Sequence, residues 1–306
     1  MRIEQLEYLA AVTQHGSLRR ASERLHISQP ALSEAVSKLE RELGVQLLDR
    51  RRSGARISRE GRDLLQHMVA VLEAVDRLRA AAGDHRADVR RVRVGTVNAA
   101  TTTLLVPAVA QVQREQPEAD IELLTLQQAE IDQGLLEGTL DLGLVNLLAG
   151  DDPPPDLVGT DLVHGRPVVV MPADHPLAAR THVDVDELRA QPFVAMRAGY
   201  LMHRFAHRVF GAEMPTVCHL TDGAEMGKAL VAEGMGVTLL PDYSVVGDPL
   251  EKAGVITTRP IAGDTTVVTL VMRHRAAAHA PPPRQVRALQ VALLDRARRY
   301  AGARAS

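Results

Sequence analysis

A single cysteine, Cys218, is all the thiol chemistry available in 306 residues. One thiol closes no internal disulfide, so a packed core must hold the fold, and the chain suits a reducing compartment. Also missing is any apolar run approaching the roughly 20 residues that span a bilayer. The first residues do not follow a basic segment with an apolar stretch, so no secretory leader is expected. These absences together predict a cytoplasmic protein with no membrane partner. Low-complexity tracts are lacking, and DDPPPD (151–156) and APPPR (280–284) read as loops. No Gly-x-Ser-x-Gly elbow, Walker-type phosphate loop or metalloprotease motif occurs. Nothing therefore points to an enzyme, and no cofactor is expected. Net charge is low as well, −2 from 36 Lys and Arg against 38 Asp and Glu. That balance hides an asymmetry. Residues 1–58 carry 10 basic and 7 acidic side chains, which makes this part the better partner for a polyanion.

What is present begins with HISQPALSEAVSKLERELG (26–44). Ser28 is a preferred N-cap, Pro30 suits a first helical turn, and Gly44 can close the helix in a left-handed cap. Leu32, Val36, Leu39 and Leu43 recur at helical spacing and form one apolar face. Gln29, Ser33, Glu34, Ser37 and Lys38 lie on other faces. Upstream, residues 3–16 place Leu6, Leu9 and Val12 in register, and residues 16–28 place Leu18, Ala21 and Leu25 behind a Ser17 cap. Three short helices joined this tightly predict a helix-turn-helix, whose second helix enters the DNA major groove. After Gly44, residues 45–48 read as a strand, Arg51 to Gly54 as a basic turn and 55–57 as a returning strand, so the motif becomes a winged helix. Six arginines against one acid between positions 50 and 62 fit phosphate neutralisation. Base edges and nearby backbone are assigned to Ser28, Gln29, Pro30, Ser33, Ser37 and Lys38, and phosphates to Arg50, Arg51, Arg52 and Arg56.

The stretch 16–50 resembles the amino-terminal signature of LysR-type transcriptional regulators. Gly16-Ser17, Ala21-Ser22, Leu25, Ser28 to Ser33, Leu39-Glu40 and Leu43-Gly44 carry the resemblance, which extends more loosely over the rest of the chain. It implies an α/β protein with an N-terminal all-α winged helix-turn-helix domain (1–58), a linker and dimerisation helix (59–89) and an effector-binding domain (90–306). The last resembles type 2 periplasmic binding proteins, with lobe one at 90–161 and 261–306 and lobe two at 162–260. It also implies homodimers that pair into homotetramers, and contact with RNA polymerase. There are departures: Leu18 and Leu48 stand where the family often has phenylalanine, and Glu34 where many members carry arginine or another non-acidic residue.

From Ser58 a helical pattern runs to about Ala82. Leu64, Met68, Val71, Val75 and Leu78 step by four, three, four and three, a seam suited to pairing with a second copy. Residues 91–301 then alternate strand and helix patterns, predicting an α/β fold with mostly parallel sheet. Ligands of such sheets sit at strand carboxyl ends beside helix N-termini. The stretches 98–103, 197–203 and 220–223 qualify. Asn98, Thr101, Thr102, Gln127, Arg197, Tyr200, His203 and Thr221 are the candidates for a small, anionic effector, each Thr being equally readable as a helix cap.

Two other patterns carry less. His203 and His207 have metal-ligand spacing but no evident third ligand, so no metal is expected. Cys218 lies in an apolar strand pattern without a second cysteine, which favours a structural thiol over a redox sensor. The leading expectation is a DNA-binding regulator that responds to a small molecule. The alternatives are a regulator with no effector, and a solute-binding protein or small-ligand enzyme bearing a helical appendage.

Overall fold

The structure is a computed structural model and describes residues 1–51, 54–81, 91–152, 154–276 and 282–305. Its Cα positions divide into two compact units.

The first unit is helical. It contains α1 (Ile3–His15), α2 (Leu18–Leu25), α3 (Gln29–Leu43), the hairpin strands β1 (Leu48–Arg51) and β2 (Gly54–Ile57), and α4 (Arg59–Ala81). Caps determine where each helix stops. Ser17 Oγ accepts from the Arg20 amide at 3.2 Å and Ser28 Oγ from the Ala31 amide at 3.3 Å. Gly16 and Gly44 close α1 and α3 at φ +65° and +69°, where L side chains are disfavoured. His26, at φ 54°, makes the tight turn between α2 and α3. The apolar stripes meet in one core: Leu6, Leu9 and Val12 from α1, Ala21 from α2, and Leu32, Val36 and Leu39 from α3, closed by Leu47 and Leu48. The strand expected from position 45 begins only at Leu48. Glu40 Oε1 accepts from the amides of Leu47 and Leu48 at 2.9 and 3.0 Å and thereby anchors the hairpin to α3.

Met68 of the linker seam is buried in this core, with Leu64 and Leu72 packed against it, whereas Val71 and Leu78 remain exposed. The seam is therefore divided: its first part covers the head and its later part is open.

The second unit runs through β3 (Val92–Thr96), a π-helical turn (Thr101–Leu105) continuing into α5 (Val106–Glu115), β4 (Ile121–Thr125), α6 (Gln128–Leu136), β5 (Leu142–Leu148), β6 (Leu157–Gly165), β7 (Pro167–Pro172), α7 (Val185–Arg189), β8 (Phe193–Met196), α8 (Leu201–Phe210), β9 (Val217–Thr221), α9 (Gly223–Ala232), β10 (Thr238–Pro241), α10 (Pro249–Lys252), β11 (Ile256–Pro260), β12 (Val268–Arg275) and α11 (Arg284–Ala305). One sheet has five strands in the order β4-β3-β5-β12-β6; a second has three, β10-β7-β11; β8 and β9 pair beside it.

The sheets correct the expectation of mostly parallel pairing. β3 is parallel to β4 and β5, and β8 to β9. The other ladders, β12 with β5 and β6, and β7 with β10 and β11, are antiparallel. The chain leaves the first sheet at β6, enters the second at β7 and returns from β11 to β12, and strands that cross and return pair head to tail. β6 and β11 are edge strands in which six of nine and four of five residues are at least partly exposed, so neither shows the apolar run that marks a central strand. Among the described residues no helix is long and apolar enough to cross a membrane.

One glycine controls how α4 leaves the hairpin. Ser58 Oγ accepts from the Gly61 amide at 2.8 Å, and a Cβ on Gly61 would lie 2.4 Å from the Leu47 carbonyl oxygen. That neighbour is backbone and cannot swing aside. Gly61→Ala is therefore expected to destabilise the head by about 1–3 kcal/mol, read as faster amide exchange at Leu47 and Leu48 with exchange in the second unit unchanged.

Candidate functional site

Two regions gather the candidate residues. In the first unit, α3 turns Leu32, Val36 and Leu39 inward and leaves Ser28, Gln29, Pro30, Ala31, Glu34, Lys38 and Arg41 exposed, with Ser33 and Ser37 half-buried. Its amino-terminal end, where amides lack helical partners, is thus the part most open to another molecule. The Ser28 hydroxyl is taken up by capping, whereas the Gln29 side chain is exposed and has no hydrogen bond among the described residues. In the hairpin, Arg50 pairs with Ala55, Arg51 with Gly54 and Arg56 with Asp49. Arg52 lies outside the described residues.

In the second unit, the carboxyl ends of β3 and β8 and the loop after β9 converge on a cavity. The chain leaves β3 through Asn98 and Ala100, both non-glycine residues in the left-handed region at φ 59° and 51°. Such conformations cost about 1–3 kcal/mol and cluster at functional sites. The turn is held by its own bonds: Thr96 Oγ1 accepts from the Asn98 amide, and Thr101 Oγ1 donates to Asn98 Oδ1, each at 3.0 Å. Across the cavity, the Ala224 amide of α9 donates to the Asn98 carbonyl at 3.3 Å. Asn98 and Tyr200 line the cavity with Asn146, Met196, Met202 and Leu240, and Gly223 brings the α9 backbone to its wall. Its volume is about 20 Å³, room for about one water molecule. Lys, Arg, Asp and Glu are absent from the lining.

The remaining candidates are dispersed around this cavity. Gln127 Nε2 donates to the Ala198 carbonyl at 3.2 Å. Its Oε1 lies against Gly199, at φ +98°, where a Cβ would approach to 2.2 Å. The Arg197 guanidinium pairs with Asp222 at 3.2 Å on the surface. His203 Nε2 lies 3.2 Å from His207 Nε2, outside the lining. Burial and the neighbouring His207 hold His203 below the ordinary imidazole range. Burial pushes the Tyr200 phenol up, reinforced by Asp222. Thr221 is buried, and its Oγ1 has no hydrogen-bond partner among the described residues. It stands opposite Met196 in the β8–β9 register.

Thr102 donates to Asp248 Oδ2 at 2.6 Å and leads into a buried polar cluster that the sequence reading did not single out. Lys228 of α9, 1% exposed, places Nζ 2.5 Å from Asp248, 3.1 Å from Glu225 and 3.0 Å from the Ser244 carbonyl. Burial raises the Asp248 carboxyl, but bonds from Lys228, Thr102 and the Leu250 amide outweigh it and hold the group below its ordinary range. Glu225 moves the other way because burial outweighs its attraction to Lys228. Around this cluster Thr103 donates to the Tyr243 carbonyl at 3.0 Å and Tyr243 Oη to Asn146 Oδ1 at 2.8 Å. Two signals were available. Asn146 interrupts the apolar run LGLVNLL, and Lys228 shares a helical face with Ala224 and Val231. Among the described residues no group of three or more His, Cys, Asp or Glu could hold a metal.

Lys228→Met should leave Asp248 buried without its counter-charge and cost about 3–5 kcal/mol near neutral pH. Because the folded Asp248 value is lowered, its contribution is complete above the ordinary carboxylate range and fades as pH falls through the folded value. In the variant the unpaired acid takes up a proton more readily, so the gap between the proteins should narrow from about pH 5 towards pH 3. Urea unfolding at several pH values measures it.

Comparison with known proteins gives consistent matches. Residues 3–62 match the family model described as bacterial regulatory helix-turn-helix protein, lysR family. Residues 85–298 match the LysR substrate binding domain. The chain is 30% identical to the Hca operon transcriptional activator HcaR of Escherichia coli (strain K12), over 89% of this chain and 91% of that protein. It is 31% identical to a probable hydrogen peroxide-inducible genes activator of Streptomyces viridosporus, over 96% and 95%. Among solved structures, full-length OxyR from Pseudomonas aeruginosa, in a cysteine-to-aspartate variant, superposes with a TM-score of 0.71 at 27% identity, covering 97% of this chain and 95% of that one.

Proposed function

The chain belongs to the LysR family of DNA-binding transcriptional regulators, and from that premise we propose how its residues divide the work. α3 enters the major groove, with Gln29, Pro30, Ser33, Ser37 and Lys38 at bases or nearby backbone and Ser28 holding the helix start. Arg50, Arg51, Arg52 and Arg56 neutralise phosphates from the hairpin. The observation that carries this reading is the exposed amino-terminal end of a capped α3, set one tight turn after α2. Residues 1–58 form the head, 59–89 the linker and 90–306 the effector-binding domain. Val71 and Leu78 of α4, exposed in one chain, pack in a homodimer. Two recognition helices then meet a roughly palindromic operator. Pairing of dimers into tetramers and recruitment of RNA polymerase complete the proposed assembly.

The effector is a small, anionic molecule held in the cavity that Asn98 and Tyr200 line. Support comes from the strained turn at Asn98 and Ala100, the Thr221 hydroxyl nearby, unpartnered among the described residues, and the starts of α8 and α9 at the cavity wall. With room for about one water, the cavity must open to admit such a molecule. The effector thus shifts the population towards an open arrangement, and the shift alters the spacing of the heads. The same small volume, with no ionised side chain in the lining, favours a second reading, in which the cleft is permanently filled and the regulator has no effector. Titration with a panel of small carboxylates, followed by melting temperature and DNA affinity together, separates the two.

A gel-shift salt series on upstream DNA with random competitor tests the head. Arg51→Ala should weaken binding to every duplex and reduce the slope of log K against log salt by about 1. Gln29→Ala should cost about 1–3 kcal/mol on the specific site and little on random DNA. Equal losses on both would remove Gln29 from base reading.

A further inference from the structure

Glu34 sits at the middle of the outward face of α3. With about 100° of rotation per residue, it lies roughly 170° from the centre of the stripe formed by Leu32, Val36 and Leu39, against roughly 150° for Pro30 and 130° for Ser37 and Lys38. An approach that brings Pro30, Ser37 and Lys38 to a duplex therefore brings Glu34 closer still. Its carboxylate is exposed and has no hydrogen bond or ion pair among the described residues, Lys38 one turn away included. Among the described residues no bonded partner offsets that charge where phosphates line the groove, so its approach is unfavourable unless a donor meets it. The major-groove donors are cytosine N4 and adenine N6. Adenine N6 adjoins the N7 acceptor, which repels a carboxylate, whereas cytosine presents no acceptor on that edge.

We propose that Glu34 is a specificity residue that accepts a hydrogen bond from cytosine N4, selecting cytosine at one position of each half-site and disfavouring all other DNA. This rests on the placement of α3 in the major groove. The negative charge acts twice, as an attractive contact to one base and as a repulsive term against the rest, a combination that widens the gap between specific and random binding.

Selection of sites from a randomised duplex pool by the full chain tests it, with Glu34→Gln and Glu34→Ala in parallel. The wild type is expected to select a cytosine that Glu34→Ala no longer requires. Glu34→Gln, similar in size but neutral and suited to adenine N6 and N7, should shift the preference there to adenine. Replacing that cytosine should weaken wild-type binding about tenfold and leave Glu34→Ala binding unchanged. Both variants should bind random duplex several-fold more tightly. The same consensus in all three proteins would overturn the assignment while leaving α3 in the groove. A wild-type pool with no consensus would overturn the placement of α3 itself, and this inference with it.

Discussion

A lysine ammonium without water around it must be neutralised where it lies, and the cavity region of this protein is arranged around one such group. Lys228 joins α9 to Asp248 and to the Ser244 carbonyl. Through Asp248 it reaches Thr102, at the start of the π-helical turn after β3. The same segment receives Thr103 at the Tyr243 carbonyl and holds Asn146 through the Tyr243 hydroxyl. One buried charge therefore sets the spacing between a helix start, a strained turn and a strand residue of the cavity wall. Substitution of such a pair by apolar groups can be neutral for stability. Its value here lies in position, because ionic and hydrogen-bonded geometry tolerates less displacement than apolar packing.

The head relies on simpler means. Serine caps, left-handed glycines and one carboxylate that accepts two amides determine where three helices stop and where the hairpin begins. These are local signals, which is why the winged helix-turn-helix was legible from residues 3–57. Ser28, Pro30 and Gly44 each have a conformational meaning that depends little on distant contacts. The linker was harder to read. Its heptad spacing is real, but spacing does not distinguish an apolar residue that covers its own head, as Met68 does, from one left outward, as Leu78 is.

The second unit was legible as alternating strands and helices and illegible in its pairing. β6 and β11 carry Thr, Asp, His and Arg among their apolar residues, as edge strands do, so the crossing of the chain between sheets left no strong pattern. The cavity was legible as loops rather than as side chains. The stretches after β3, β8 and β9 do converge. Which residues face inward depended on bonds made across 97 and 146 residues of sequence, and these withdraw Thr102 to Asp248 while bringing Asn146 to the wall.

Gly199 gives the closed cleft a property that its hydrogen bonds alone would not. Hydrogen bonds stretch and re-form, so a latch made only of Gln127 and the Ala198 carbonyl would yield gradually. At φ +98° position 199 disfavours L side chains, and the Gln127 amide is seated where a Cβ there would have to go. Any side chain introduced there would displace that amide from the Ala198 carbonyl and leave the strain in the backbone. In genetic terms, every missense codon at position 199 carries a conformational cost, whatever side chain it encodes.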